Sequence, residues 1–217
     1  MKTYKTYIFD FDYTLADAST GILKCFRHVL DTHKHTNISD DAIRNTIGKT
    51  LEQAFIQLTK ITDKATIDLY VKEYVNMADI HMTANTKLFP EVVTVLTTLK
   101  DQGVLLGIVS TKFRYRIIEF VNQVFPTDFF DVIIGGEDVT QHKPSPEGLL
   151  LALTHLKAEK EQCLYIGDST IDAETAQAIA ADFYGVLNGT TTREQLAQYP
   201  HIQIGDNLSH LIHKSSY

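Results

Sequence analysis

Five short apolar runs punctuate the chain: Tyr7-Ile8-Phe9, Val104 to Val109, Val132-Ile133-Ile134, Leu164-Tyr165-Ile166 and Phe183 to Leu187. Their length and content predict buried strands. The gaps between the later runs carry helical patterns. Pro90 is placed at a first helical position, Val92, Val93, Leu96 and Leu99 follow at helical spacing, and Gly103 sits where that helix would end. Ser145-Pro146 opens a similar segment that runs through Leu156, with the serine as its cap. Strands alternating with helices of this length predict parallel pairing and an α/β fold built on a doubly wound parallel sheet.

The stretch from Asp17 to Lys87 breaks the alternation. It contains no convincing strand, while apolar residues recur at helical spacing in three stripes: Ile22, Cys25, Phe26, Val29 and Leu30; Leu51, Phe55 and Leu58; and Ile67, Val71, Tyr74, Val75 and Ala78. A crossover between parallel strands needs only one helix, so a block this long predicts a small helical domain inserted after the first strand. The expected division is residues 1–16 and 87–217 as the α/β core and 17–86 as the helical insertion.

Composition narrows the function classes. An apolar fraction of 44% and a charged fraction of 22% are those of a globular protein. A formal net charge of −7 argues against a nucleic-acid binder, which presents clustered Lys and Arg to offset phosphate charge. Cys25 and Cys163 follow no metal-ligand spacing and are expected as buried free thiols. No apolar run reaches 18 residues, so a soluble, cytoplasmic chain without a membrane partner is expected, as a monomer or homodimer.

The candidate chemistry lies at strand ends, where ligands bind in open α/β sheets. Asp10 ends the first strand, and Asp12 follows on the same side of an extended segment, with Phe11 pointing the other way. Ser110 and Thr111 close the second strand of the core and offer hydroxyls to phosphate oxygens. Lys143 lies in His142-Lys143-Pro144-Ser145-Pro146, on a loop restrained by its prolines. Asp168 follows the fourth strand directly, and Asp172 lies one helical turn onward. Carboxylates gathered from separate strand ends suit Mg²⁺, a hard ion with oxygen ligands. Each residue has a plainer role when taken singly. Asp12 could be a solvated or capping acid, Ser110 and Thr111 helix caps, Lys143 a surface lysine, and Asp172 the partner of Ser169 in a capping box.

The four motifs, in this order and each at a strand end, resemble the haloacid dehalogenase-like (HAD) superfamily, in its phosphoglycolate phosphatase-like branch with a helical cap. The resemblance spans essentially the whole chain. It implies a Mg²⁺-dependent phosphatase acting on a small phosphorylated metabolite through an aspartyl-phosphate. Asp10 matches the nucleophile, Asp12 the general acid/base, Ser110 the hydroxyl that holds the transferring phosphoryl group, and Lys143 the lysine that stabilises both. Asp168 and Asp172 match the acidic pair around Mg²⁺, joined by Asp10 and the backbone carbonyl of Asp12.

Three departures stand out. Tyr13 occupies a place where the family usually has glycine in a tight turn, so either the turn differs or tyrosine adds bulk beside the leaving group. Thr111 replaces the commoner asparagine. Ala180-Ala181-Asp182 lacks the glycine usual after the last motif's helix, which is expected to be a packing variation only. Asn45 to Thr50 resembles the family's specificity loop, with Gly48 allowing its turn, and Arg44 and Lys49 are candidates for a second anionic group on the substrate or for solvated surface charges. The presence of Asp12 disfavours carbon–halogen cleavage, and no cap lysine among Lys24, Lys34 and Lys49 is supported as a Schiff base for phosphonate cleavage. Phosphoglycolate, pyrophosphate and small sugar phosphates all fit as substrates. A phosphomutase of the same fold and a phospho-accepting signalling module are the rival functions.

Overall fold

The computed structural model describes residues 2–212. By internal contacts the chain divides into two compact units, Met1–Ala16 with Leu88–Tyr217, and Asp17–Lys87.

The first unit is an α/β sheet layered between helices. Its strands are β1 (Thr6–Phe9), β4 (Leu105–Val109), β5 (Val132–Ile134), β6 (Cys163–Gly167), β7 (Asp182–Val186) and β8 (Gln203–Gly205). They lie in the order β5-β4-β1-β6-β7-β8, all pairs parallel. The short strands β2 (Ala16–Asp17) and β3 (Lys87–Leu88) form a separate two-stranded sheet. From the central β1 the sheet grows outward through β4 to β5, then resumes at β6 on the other side. The carboxyl ends of β4, β1 and β6 therefore meet at the point where the winding reverses, which is where such sheets bind ligands.

Alternation along the strands builds two cores. Phe9, Ile108 and Ile166 face one side with Phe11, Leu96 and Phe120, while Ile8, Val109 and Tyr165 face the other with Leu149, Ala173 and Phe183. The covering helices are α5 (Val92–Asp101), α6 (Arg114–Val121), α7 (Glu147–Leu156), α8 (Thr170–Ala178) and the short α9 (Arg193–Leu196). Helix α5 ends before Gly103, whose φ of +74° suits glycine. Two helix starts differ from expectation. Pro90 precedes α5 by two residues, and Pro146, not Ser145, occupies the cap position of α7 without a side-chain cap bond. Strand β8 was not anticipated: Ile204 is the one apolar residue in its three, too little to make a pattern.

The second unit contains α1 (Ser19–Thr32), α2 (Asp40–Arg44), α3 (Leu51–Thr59) and α4 (Lys64–His81) around its own core. The α1 stripe is buried throughout, and Phe26, Phe55, Tyr70 and Tyr74 pack ring against ring at centroid distances of 4.8 to 6.3 Å. On α4 the buried face runs through Ile67, Tyr70, Tyr74 and Ala78, so Val71 and Val75 are only partly covered. Gly48 takes a φ of +95° between α2 and α3, as the turn requires. Both cysteines are buried free thiols. Among the described residues no helix is long and apolar enough to cross a membrane.

Candidate active site

Asp10 directly follows β1, and its N–H donates to the Ile166 carbonyl at 2.8 Å, extending the ladder with β6 by one bond. That bond fixes the start of the acidic segment. Past it the chain turns sharply: the N–H groups of Leu15 and Ala16 both donate to the Phe11 carbonyl, and that of Tyr13 to the Ala16 carbonyl. Tyr13 sits at the turn with φ +60°, the left-handed conformation that glycine adopts freely. The glycine-type turn is thus kept with tyrosine in it, and its side chain is buried.

Asp10, Asp168 and Asp172 are all buried, and one carboxylate oxygen from each lies within 4.8 Å of the others. Asp168 follows β6 and accepts from Thr14 Oγ1 at 3.2 Å. Asp172 lies in the first turn of α8, where it completes a capping box with Ser169. Its Oδ2 accepts from Ser169 Oγ at 2.5 Å, and its Oδ1 from the Lys143 ammonium at 2.6 Å and the Tyr165 hydroxyl at 3.0 Å. Asp172 therefore caps its helix and also grips Lys143. Two glycines permit the crowding: a Cβ on Gly167 would stand 2.4 Å from the Asp172 side chain, and one on Gly189 2.0 Å from Asp168 Oδ2.

Among the described residues Lys143 is the ammonium inside this cluster, 3.0 Å from Asp10 Oδ1, with side-chain exposures of 5% for the lysine and 3% for the aspartate. Asp10 Oδ1 is held by this ion pair and not by a well-formed hydrogen bond. Burial alone would lower the Lys143 pKa, but the charges of Asp10, Asp172 and Tyr165 outweigh it and hold it well above the usual lysine value. Burial pushes Asp10 up to about 6 against the pull of Lys143, with Asp172 and Asp12 adding to the rise. Asp168 is driven well above the carboxylate range, first by burial and then by the charges of Asp172 and Asp10.

One ammonium does not offset three buried carboxylates. The donor set is all oxygen, anionic and partly unsatisfied, which is the chemistry of a site for a hard divalent cation. The group could hold a metal ion, with Asp10 and Asp168 the freer ligands because Asp172 already engages both of its oxygens.

Ser110 is buried just after β4, its N–H donating to the Ile134 carbonyl at 3.0 Å. Ser110, Thr111, Gln141, His142 and Lys143 border a small recess. Asp12 stands outside the buried trio, its carboxylate paired with Lys112. Arg44 and Lys49 belong to the helical unit. Arg44 is the last residue of α2, and the Lys49 ammonium donates to Gln57 Oε1 at 2.7 Å.

The family model for the haloacid dehalogenase-like hydrolases matches residues 7–186. The chain belongs to this family. Among HAD relatives, the pyrophosphatase PpaX of Bacillus pumilus is 30% identical over 197 residues, covering 91% of this chain and 89% of its own. A phosphoglycolate phosphatase of Rhodobacter capsulatus is 31% identical over 180 residues, 81% of each chain. A solved structure from Bacteroides fragilis, described as a haloacid dehalogenase-like hydrolase, superposes with a TM-score of 0.95 at 55% identity over 97% of this chain and all of that one.

Three residues at the HAD site escaped the sequence reading. Lys112 stood in the run that ends β4 but looked like any polar residue starting a loop. Tyr165 looked like one apolar member of β6, although a tyrosine two residues before the strand's end carries a hydroxyl that a buried position must satisfy. Its hydroxyl reaches Lys143 Nζ at 3.3 Å as well as Asp172. Gly189 offered no signal, because its constraint is the approach of Asp168 from elsewhere in the chain.

Proposed function

We propose that this chain is a Mg²⁺-dependent phosphatase that hydrolyses a small phosphate monoester through a phosphoenzyme on Asp10. The observation that carries the proposal is a buried carboxylate, Asp10, whose Oδ1 lies 3.0 Å from the Lys143 ammonium and which is gathered with two further buried acids.

The residues divide the work as phosphoryl transfer requires, mostly by position and charge. Asp10 attacks phosphorus and forms a P–O bond. The bond to the leaving oxygen breaks with its electron pair, and that oxygen takes a proton from Asp12. In the second half, water gives a proton to Asp12 as its oxygen bonds phosphorus, and the bond to Asp10 breaks, restoring the carboxylate and releasing inorganic phosphate. Ser110 and Thr111 would donate to the phosphoryl oxygens. Lys143 keeps Asp10 and the phosphoryl group near each other by attraction to both, and Asp172 with Tyr165 aims its ammonium. Asp10, Asp168, Asp172 and the Asp12 carbonyl would hold Mg²⁺, which when bound offsets charge on the transferring group. On the loop resemblance alone, Arg44 and Lys49 are part of the proposal as contacts for a second anionic group of the substrate.

Pyrophosphate is the second reading, favoured by relatives named pyrophosphatase at 30–31% identity. A Mg²⁺-dependent screen of phosphoglycolate, pyrophosphate, sugar phosphates and nucleotides, with acid-quench trapping of phosphoenzyme, separates the two. Asp10→Asn is expected to abolish turnover and trapping with every substrate. Full activity in that variant would overturn the mechanism. Release of inorganic phosphate at the rate of substrate loss excludes the phosphomutase and signalling alternatives.

A further inference from the structure

The geometry points to Lys112 as the positioning residue for Asp12, a lysine dedicated to the proposed acid/base in the way Lys143 is dedicated to the proposed nucleophile. The role rests on the phosphatase reading above and extends it to a residue to which the motifs assign no part.

Lys112 Nζ lies 3.0 Å from Asp12 Oδ1 and 3.1 Å from Oδ2, donating to both oxygens at once. The two side chains are only 8% and 13% exposed, so the pair is largely shielded from water. Both ends are braced. The Lys112 carbonyl accepts from the Gly136 N–H at 3.0 Å, and Gly136 approaches so closely that a Cβ there would stand 2.5 Å from the Thr111 carbonyl oxygen. The ammonium also rides 5.6 Å above the ring of Phe11, which is fully buried and held edge-on by Phe120 at 5.8 Å. At the other end the turn after Asp12 is tied by three backbone bonds among Phe11, Tyr13, Leu15 and Ala16.

The two lysines are segregated. Lys143 contacts Asp10 and Asp172, and Lys112 contacts Asp12. Shielded ion pairs of this kind add little net stability, because desolvation offsets attraction, so stability is a weak reason for fixing a flexible lysine across two strand ends. Orientation is a stronger one. A general acid acts only when its proton points at the leaving oxygen, and a small angular error costs far more in rate than in binding. With both oxygens held, Asp12 keeps one orientation. Without Lys112 it would turn among rotamers in the same position.

The consequence is specific to leaving-group chemistry. An alkyl oxygen needs the proton from Asp12 as the P–O bond breaks, whereas p-nitrophenolate leaves without it. In Lys112→Met, kcat/KM for an alkyl phosphate such as glycerol phosphate is expected to fall about 10- to 100-fold, and that for p-nitrophenyl phosphate less than about 3-fold. Lys112→Arg, which restores a two-pronged donor, should recover most of the alkyl activity. Lys112→Gln, neutral and too short to reach both Asp12 oxygens, gives the same comparison should the methionine variant not fold. Equal losses for both substrates, a rise in KM with kcat unchanged, or no loss at all would each overturn the role. Run alongside, Asp10→Asn distinguishes the two levels. If it stays active the phosphatase mechanism fails and Lys112 with it, whereas an inactive Asp10→Asn beside a uniform Lys112→Met sinks the Lys112 role alone.

Discussion

A carboxyl group raised to about 6 from its ordinary 3.8, as Asp10 is, binds its proton more tightly in the folded chain than in the unfolded one. Stability therefore falls as pH rises between those two values, and above about 6 the ionised group costs the metal-free protein on the order of 3 kcal/mol. Asp10→Asn removes that cost. In chelator-containing buffer the variant should be more stable than the native sequence at pH 8, with the gap narrowing as pH is lowered toward 5. Urea denaturation at several pH values checks it, and a gap that widened toward low pH would contradict the burial of this charge. At this scale Asp10 and Asp168 stand out in the sequence because each follows an apolar run. Lys143 was read as a charge partner of Asp10, which it meets at 3.0 Å, but the partner of Asp12 was not: nothing in Ser110-Thr111-Lys112 says that the lysine meets Asp12, since that pairing is made by β1 and β4 lying side by side.

Helix α8 ends in a tight two-bond closure, with Ala180 N–H donating to the Gln177 carbonyl and Ala181 N–H to the Ala176 carbonyl, both at 3.0 Å. This closure puts Ala180 at φ +54°, a conformation that suits glycine. The missing glycine in Ala180-Ala181-Asp182 is therefore a matter of backbone strain, and the expectation of a packing variation alone is corrected. Ala180→Gly should stabilise the protein by about 1 kcal/mol, the relief of a left-handed alanine less the added entropy of the unfolded chain. Thermal melts would show it as a rise of about 2–4 °C. Among elements, the central strands were readable as short, almost wholly buried apolar runs and the long helices by their apolar stripes. Strand β8 was not, because an edge strand of three residues, two of them half-buried, needs little pattern and is placed by backbone bonds to β7.

For the whole molecule, a site of three buried acids and one lysine predicts that a divalent cation is a folding ligand as well as a catalytic one. At about 100 times its dissociation constant, Mg²⁺ should add about 2.7 kcal/mol, or roughly 5–10 °C in melting temperature for a chain of this length. Asp168→Asn should abolish most of that response. A native protein whose melting temperature is the same in Mg²⁺ and in chelator would rule out the buried trio as a metal site. The division into an α/β unit and a helical one followed from the long strand-free stretch, since a helical stripe and a buried strand differ in period regardless of their neighbours.

The central place of β1 has a further consequence, in the order of synthesis. Thr6 pairs with Leu105 on one side and Cys163 on the other. During synthesis β1 thus has no neighbour until about a hundred residues have followed it, and no second neighbour until about 160 have. The helices of Asp17–Lys87, whose contacts are local, are complete well before then. Nascent chains stalled before residue 100 should show protected helices beside an exposed Tyr7-Ile8-Phe9 segment, which makes the strand that leads to Asp10 the natural hold for a chaperone.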